Sequence, residues 1–235
     1  MASPGQLVEC VSAALNLPQA TVVLYDRVLS ENGLRSKGGR GRSAAKVTVE
    51  DAANLLIAIA GTPTSGIGSA VAAVKQFSKL KYSERDYDSE LQHLPEDFQK
   101  TMRRHQPIDF LGLPGMEGLR DDHSFRDGLI ALIQAVRHRK LALTEGKPGE
   151  LIMGDVSLEG PSPVRGVIHV FRRGSGRSSF ASYGRLQRPW YDDFGPEENE
   201  ADFRWKQTFS DRVIRAVANL LGPEDAPAKS KKRDV

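Results

Sequence analysis

The chain has 235 residues, 39% of them hydrophobic and 27% charged, a soluble globular composition long enough for one large domain or two smaller ones. No apolar run approaches the ~20 residues of a membrane helix, the opening "MASPGQLVEC" has no basic head leading into an apolar stretch, and a single cysteine, Cys10, excludes a disulfide framework within one chain. A membrane span and a signal peptide are therefore not expected, and a reducing, cytoplasmic setting is.

"SPGQLVECVSAALNL" (3–17) predicts a helix, with Ser3 as N-cap, Pro4 in the first turn, and Leu7, Val11, Ala14 and Leu15 at helical spacing. After a break at "NLPQ", residues 19–34 predict a second helix. Val22, Tyr25, Val28 and Leu29 form its apolar stripe, and Asn32-Gly33 is the stop. "KVTVEDAANLLIAIAG" (46–61) reads as a short strand passing into a helix, with Thr48 and Asp51 as a capping box. A further helix is expected over 67–82. Residues 83–120 read as irregular, with a short helix near "PEDFQKTMRRH", and Ser124 caps an amphipathic helix over 124–140.

From Gly149 the texture becomes that of strands. Residues 150–160, 165–174 and 178–186 predict a three-stranded antiparallel meander with "GPSP" and "GSGR" as turns. "TFSDRVIRAVANLLG" (208–222) closes the folded part as a helix capped by Thr208 with Asp211. Its wide apolar stripe, Phe209, Val213, Val217 and Leu220, needs a cover, and the meander of the same chain is the expected one. Residues 223–235 read as a disordered basic tail.

Net charge is only +3, but charge is segregated. Between residues 32 and 49 there are five basic residues and no acid; between 160 and 191 there are six arginines and no acid; acids gather at 83–98 and 192–202. The first basic stretch is also rich in glycine. Gly38, Gly39 and Gly41 permit close backbone approach, and Arg40 and Arg42 alternate with glycine, so both can face one phosphate ridge, flanked by Arg35 and Lys37 on one side and Lys46 on the other. The second helix leaves Gln19, Ala20, Val23 and Arg27 on the face away from its apolar stripe, small and polar near its N-terminus, as an element entering a major groove requires.

Two helices joined by a tight turn, then a glycine-rich basic turn, then "KVT": over residues 15–48 the chain resembles the winged helix-turn-helix regulators, and "LSENGL" (29–34) is similar to the end of their recognition helix. The helix "ATVVLYDR" carries fewer polar side chains than recognition helices of that family usually do. The resemblance implies a β-hairpin wing, double-stranded DNA as partner, and base contacts from Gln19 and Thr21 near the recognition-helix N-terminus.

Other motifs point nowhere specific. Around "AGTPTSGIGS" the spacing of Gly61 and Gly66 suggests a phosphate loop, but Ile67 stands where the lysine is required. The five histidines share no metal-ligand spacing, and no Gly-x-Ser-x-Gly elbow occurs. No catalytic residue, cofactor or metal is expected. The aromatics interleaved with the second arginine stretch, Phe171, Phe180, Tyr183, Trp190 and Tyr191, either carry a single strand or belong to the core, and the core is the favoured reading.

The sequence thus predicts an α+β protein: a winged helix-turn-helix over 1–61, a helical region over 62–148, an antiparallel sheet with a C-terminal helix over 149–222, and the tail. The expected function is sequence-specific double-stranded DNA binding by a cytoplasmic transcriptional regulator. A homodimer is expected because one short recognition helix buries too little surface to be specific alone. The alternatives are a DNA-binding packaging or structural protein of a phage-like element, and a protein-interaction adaptor that binds no DNA.

Overall fold

Capping chemistry sets the helix starts. Ser3 and Gln6 form a reciprocal capping box at the head of α1 (Pro4–Leu15), Thr48 and Asp51 do the same for α3 (Val49–Ala60), and Ser124 and Asp127 for α5 (Phe125–Arg137). α2 (Gln19–Glu31) follows Pro18 and has no side-chain cap. Its end is a Schellman closure: Gly33 takes φ 71°, Leu34 N–H donates to the Leu29 carbonyl at 2.9 Å, and Gly33 N–H to Ser30 at 3.3 Å. The computed structural model describes residues 2–37, 46–63, 66–83, 95–97, 99–100, 109–141, 151–161, 164–172, 178–184 and 205–223.

The helix expected over 67–82 is shorter. A 3-10 turn over Ile67–Ser69 leads into α4 (Ala70–Phe77), and Tyr82–Ser83 leaves as strand β1. Residues 96, 97, 99 and 100 are helical, as the short helix near "PEDFQK" required. The meander is present as β2 (Leu151–Gly160), β3 (Arg165–Arg172) and β4 (Ser178–Tyr183), but it is the centre of a five-stranded antiparallel sheet. β1 extends it beside β4, and β5 (Trp205–Ser210) beside β2, giving the order β1-β4-β3-β2-β5. β5 overturns the expected cap of the last helix. Thr208 lies in the strand opposite Ser157, and α6 (Asp211–Leu221) starts after Ser210.

The core is one contiguous cluster to which every helix and the inner face of the sheet contribute. α3 lies at its centre: among its twelve residues only Glu50 and Ile59 are not buried. The cover of α6 is intramolecular, but helices supply most of it. α6 packs on α1 and α5 and meets the sheet through β2 and β5. Arg212 Nη2 donates to the Ala14 carbonyl at 2.6 Å and Arg137 Nε to the Gly222 carbonyl, fixing both ends of that packing. Residues 1–61 therefore share their core with the C-terminal helix.

Sheet and helices meet at a buried polar pair. His123 Nδ1 lies 2.7 Å from the Arg120 carbonyl, which can only accept, so this nitrogen holds the proton and Nε2 accepts from the Tyr183 hydroxyl at 2.9 Å. The space is tight: a Cβ on Gly128 of α5 would stand 2.1 Å from that hydroxyl. Of the interleaved aromatics, Tyr183 is core, as favoured, while Phe180 is 44% exposed and stacks on His169, ring centroids 4.2 Å apart. Trp190 and Tyr191 lie outside the described residues.

Two consequences can be measured. Val217 is fully buried in the α6 seam, so Val217→Asp places an uncompensated charge in the core, a cost of ~3–5 kcal/mol. Circular dichroism and sedimentation should show loss of the cooperative fold; a folded monomer from a dimeric parent would instead place α6 at a subunit seam. Burial also lowers the pKa of His123 and of His169 below the ordinary 6.5. Their neutral-state stabilisation is complete above ~pH 6.5 and lost as pH falls through the lowered folded values. The urea midpoint should fall from about pH 7.5 to about pH 5.5, and fall less in His123→Gln, which keeps an acceptor for Tyr183 without a titrating ring.

Candidate functional site

The loop that carries Arg40 and Arg42 lies outside the described residues, but both of its stems are described, and one side chain holds them together. Asp51, at the third position of α3 and 4% exposed, accepts from Ser36 N–H at 2.7 Å through Oδ1 and from Thr48 N–H at 2.9 Å through Oδ2. Ser36 belongs to the outgoing stem and Thr48 to the returning one. A carboxylate in the first turn of a helix is already favoured by the capping box and the helix dipole. Here the same group closes residues 37–47 into a loop with a fixed base.

Further contacts hold each stem. Val47 is buried, and its N–H donates to the Ala2 carbonyl at 3.0 Å. Asn54, one turn along α3 from Asp51, donates Nδ2 to the Leu34 carbonyl at 2.7 Å. Arg35 Nε stands 2.8 Å from Asp26 Oδ1 of α2, with both side chains mostly buried. The contact is an ion pair rather than an aligned hydrogen bond. Burial pushes the Asp26 carboxyl above its ordinary range, Arg35 pulls it back, and Asp51 adds to the rise. The flanks form no β-ladder: Lys46–Thr48, expected as a short strand, pairs with no strand among the described residues, so the described part of the loop is not the hairpin the resemblance implies.

Beside the stems opens a cleft of about 840 Å³ between residues 33–37, the start of α3, the end of α4 and the first turn of α5. Lys37, Lys75 and Lys79 line it and are exposed, and no carboxylate among the described residues pairs with them. Arg126 lines it from α5. With Asn54 Nδ2 committed to Leu34, its Oδ1 faces outward and accepts from Arg126 Nε at 2.8 Å. The Arg126 Nη atoms make no hydrogen bond to described residues.

The predicted site residues separate into groups. Gln19, Ala20, Val23 and Arg27 are exposed along α2 and Thr21 is partly so. Arg27 pairs with Glu31 one turn on at 2.8 Å. Lys37 and Lys46 are exposed on the two stems, whereas Arg35 is turned inward to Asp26 and acts as a stem anchor. Arg40 and Arg42 lie outside the described residues. Sequence reasoning missed Lys75, Lys79, Arg126, Asn54 and the bridging role of Asp51. Only Asp51 left a signal, as half of a capping box.

A second cleft of about 470 Å³ lies beside His123. Its acids are already engaged: Asp127 caps α5 through Ser124, and Asp122 pairs with Arg120. Among the described residues no group of three or more His, Cys, Asp or Glu converges as a metal site would, and no helix is long and apolar enough to cross a membrane. Cys10 is half-buried, and burial raises its thiol pKa, which suits packing rather than reactivity. No family model, no curated protein and no solved structure matches this chain.

The bridge can be tested directly. Hydrogen bonds to a charged acceptor contribute ~1.5–3 kcal/mol each, so Asp51→Ala should lower unfolding stability by about 3 kcal/mol or more in urea. Asp51→Asn, which keeps one accepting oxygen, should fall between.

Proposed function

We propose that this protein binds double-stranded DNA with sequence preference and acts as a cytoplasmic transcriptional regulator. In this reading α1 and α2 are the helix-turn-helix, α2 enters the major groove, and the basic stretch over residues 35–46 takes the place of a wing, without strand pairing at its described stems, and contacts phosphates or the adjacent minor groove. The observation that carries it is the loop base. A Gly-rich segment bearing Arg40 and Arg42 is held at both ends by one buried carboxylate, with Lys37 and Lys46 exposed at its foot. Fixing the ends of a basic loop lowers the ordering entropy lost on binding a phosphate backbone. The exposed row Gln19, Ala20, Val23 and Arg27 supports the same reading, because small side chains let a helix approach base edges and Gln19 offers both donor and acceptor.

A homodimer belongs to this reading, since a single helix of this length reads too few base pairs. A second reading, a protein-binding adaptor, is favoured by one observation: Val23 and Leu24 are each 46% exposed on α2, an apolar pair that suits a protein partner as well as thymine methyl groups.

Duplex binding measured against salt separates the two. The Arg40→Ala/Arg42→Ala variant should lose affinity for all duplex sequences alike, and its salt slope should fall by about 1 per arginine per protomer. Wild-type protein that binds no duplex at about 0.15 M salt would leave the adaptor reading in place.

A further inference from the structure

We infer that the phosphate-contacting surface continues from the loop into the cleft beside it, where Lys75 of α4, Lys79 in the turn that follows it and Arg126 of α5, together with Lys37, receive the sugar–phosphate backbone of one DNA strand. The inference rests on the DNA reading and extends the interface to two helices outside the helix-turn-helix.

Three observations carry it. First, the cleft's cations are unpaired: of its two carboxylates, Glu50 is exposed at the start of α3 and makes no ion pair with a described residue, and Asp51 is committed to the backbone. Asp51 spends both oxygens on the loop stems, and Arg35 is matched by Asp26, while Lys37, Lys75 and Lys79 meet no carboxylate among the described residues. A cation at the C-terminal end of α4 gains a little from the helix dipole, which accounts for Lys75 alone. It does not account for cations brought from three separate elements to one concave surface.

Second, Arg126 is held for use. Asn54 is 5% exposed, its amide is fixed by the Leu34 carbonyl, and its oxygen takes Arg126 Nε. That leaves the Nη pair of a planar fork with no hydrogen bond to the described residues, the arrangement that suits two oxygens of one phosphate.

Third, the shape suits a strand rather than a small anion. The cleft is open, and Lys37 joins it directly to the foot of the Arg40/Arg42 loop. Lys75 lies in the last turn of α4 and Lys79 in the turn beyond its end, two separate points along the cleft that can each meet a different phosphate.

The test compares the wild type, Lys75→Ala/Lys79→Ala, Arg40→Ala/Arg42→Ala, and a charge-matched control, Lys140→Ala/Lys206→Ala, in duplex binding as a function of salt. All the altered lysines are exposed, and circular dichroism checks that each variant is folded. The Lys75/Lys79 variant should lose on the order of tenfold in affinity at about 0.15 M salt, for every sequence alike, with a salt slope lower by about 2 per protomer; the control should match the wild type. If the Lys75/Lys79 variant binds like the wild type while the Arg40/Arg42 variant is weakened, the cleft inference fails and the DNA reading stands. An equal loss in the control also overturns the cleft. Wild-type protein that binds no duplex overturns both. Calorimetric titration with inorganic pyrophosphate supplies the last arm: binding abolished by Lys75→Ala/Lys79→Ala, with duplex affinity intact, would replace the strand by a free phosphate ligand.

Discussion

One buried carboxylate organises the N-terminal half of this protein. Asp51 completes the capping box of α3, and its two oxygens take backbone N–H groups on either side of the basic loop. Removing the carboxylate takes the acceptor from two part-buried backbone N–H groups at once. The loop base and the start of the central helix are therefore one structural unit. α3 in turn cannot shift without disturbing α2, α4 and α5, which all pack on it. Tyr25 adds a second link between α2 and α3. Thr62 Oγ1 donates its proton to the Ala58 carbonyl, so the Tyr25 hydroxyl must be the donor in its 2.8 Å contact with Thr62. The candidate recognition helix and the loop are thus both referred to the same buried helix, the kind of rigid support a binding surface needs.

Much of the local structure was legible in the sequence. N-caps at Ser3 and Ser124, the capping box at Thr48, the Asn32-Gly33 stop and the three strands of the meander follow from residue types at short, fixed offsets, and the chain adopts them. β5 was not legible. "WKQTFS" is short, follows an acidic run, and contains a plausible cap in Thr208; only its pairing with β2, some fifty residues earlier, makes it a strand. β1 was hidden for the same reason: Tyr82 continues a helical pattern until Tyr183 supplies a partner.

The site divides along the same line. Exposure of Gln19, Ala20, Val23 and Arg27 follows from helical periodicity, because the stripe Val22, Tyr25 and Leu29 fixes which face is buried. Arg35 read as one more loop cation, because nothing in its own segment signals that Asp26, nine residues earlier, turns back to meet it. Asn54 stands in the sequence as a single polar residue among the apolar residues 52–60 of α3. Its role requires Leu34 on one side and Arg126, 72 residues away, on the other. A cleft assembled from the loop stem, α4 and α5 has no contiguous sequence signature at all.

The charges of the stem cancel where the chain is buried and remain where it is exposed. Arg35 is matched by Asp26, and the Asp51 carboxylate is solvated by backbone donors, so the base of a strongly basic loop adds little net field to the core. A buried ion pair such as Asp26–Arg35 gives little stability compared with an apolar replacement, and the raised pKa of Asp26 reflects that desolvation. What the pair does fix is direction. With Arg35 turned inward, the chain leaves α2 with Lys37 exposed, and on the returning stem buried Val47 leaves Lys46 exposed. Exposed cations thereby remain on the two stems, and Lys37 shares its cleft with Lys75, Lys79 and Arg126. The weak net charge of the whole chain conceals this asymmetry, because the opposing acids lie in other segments.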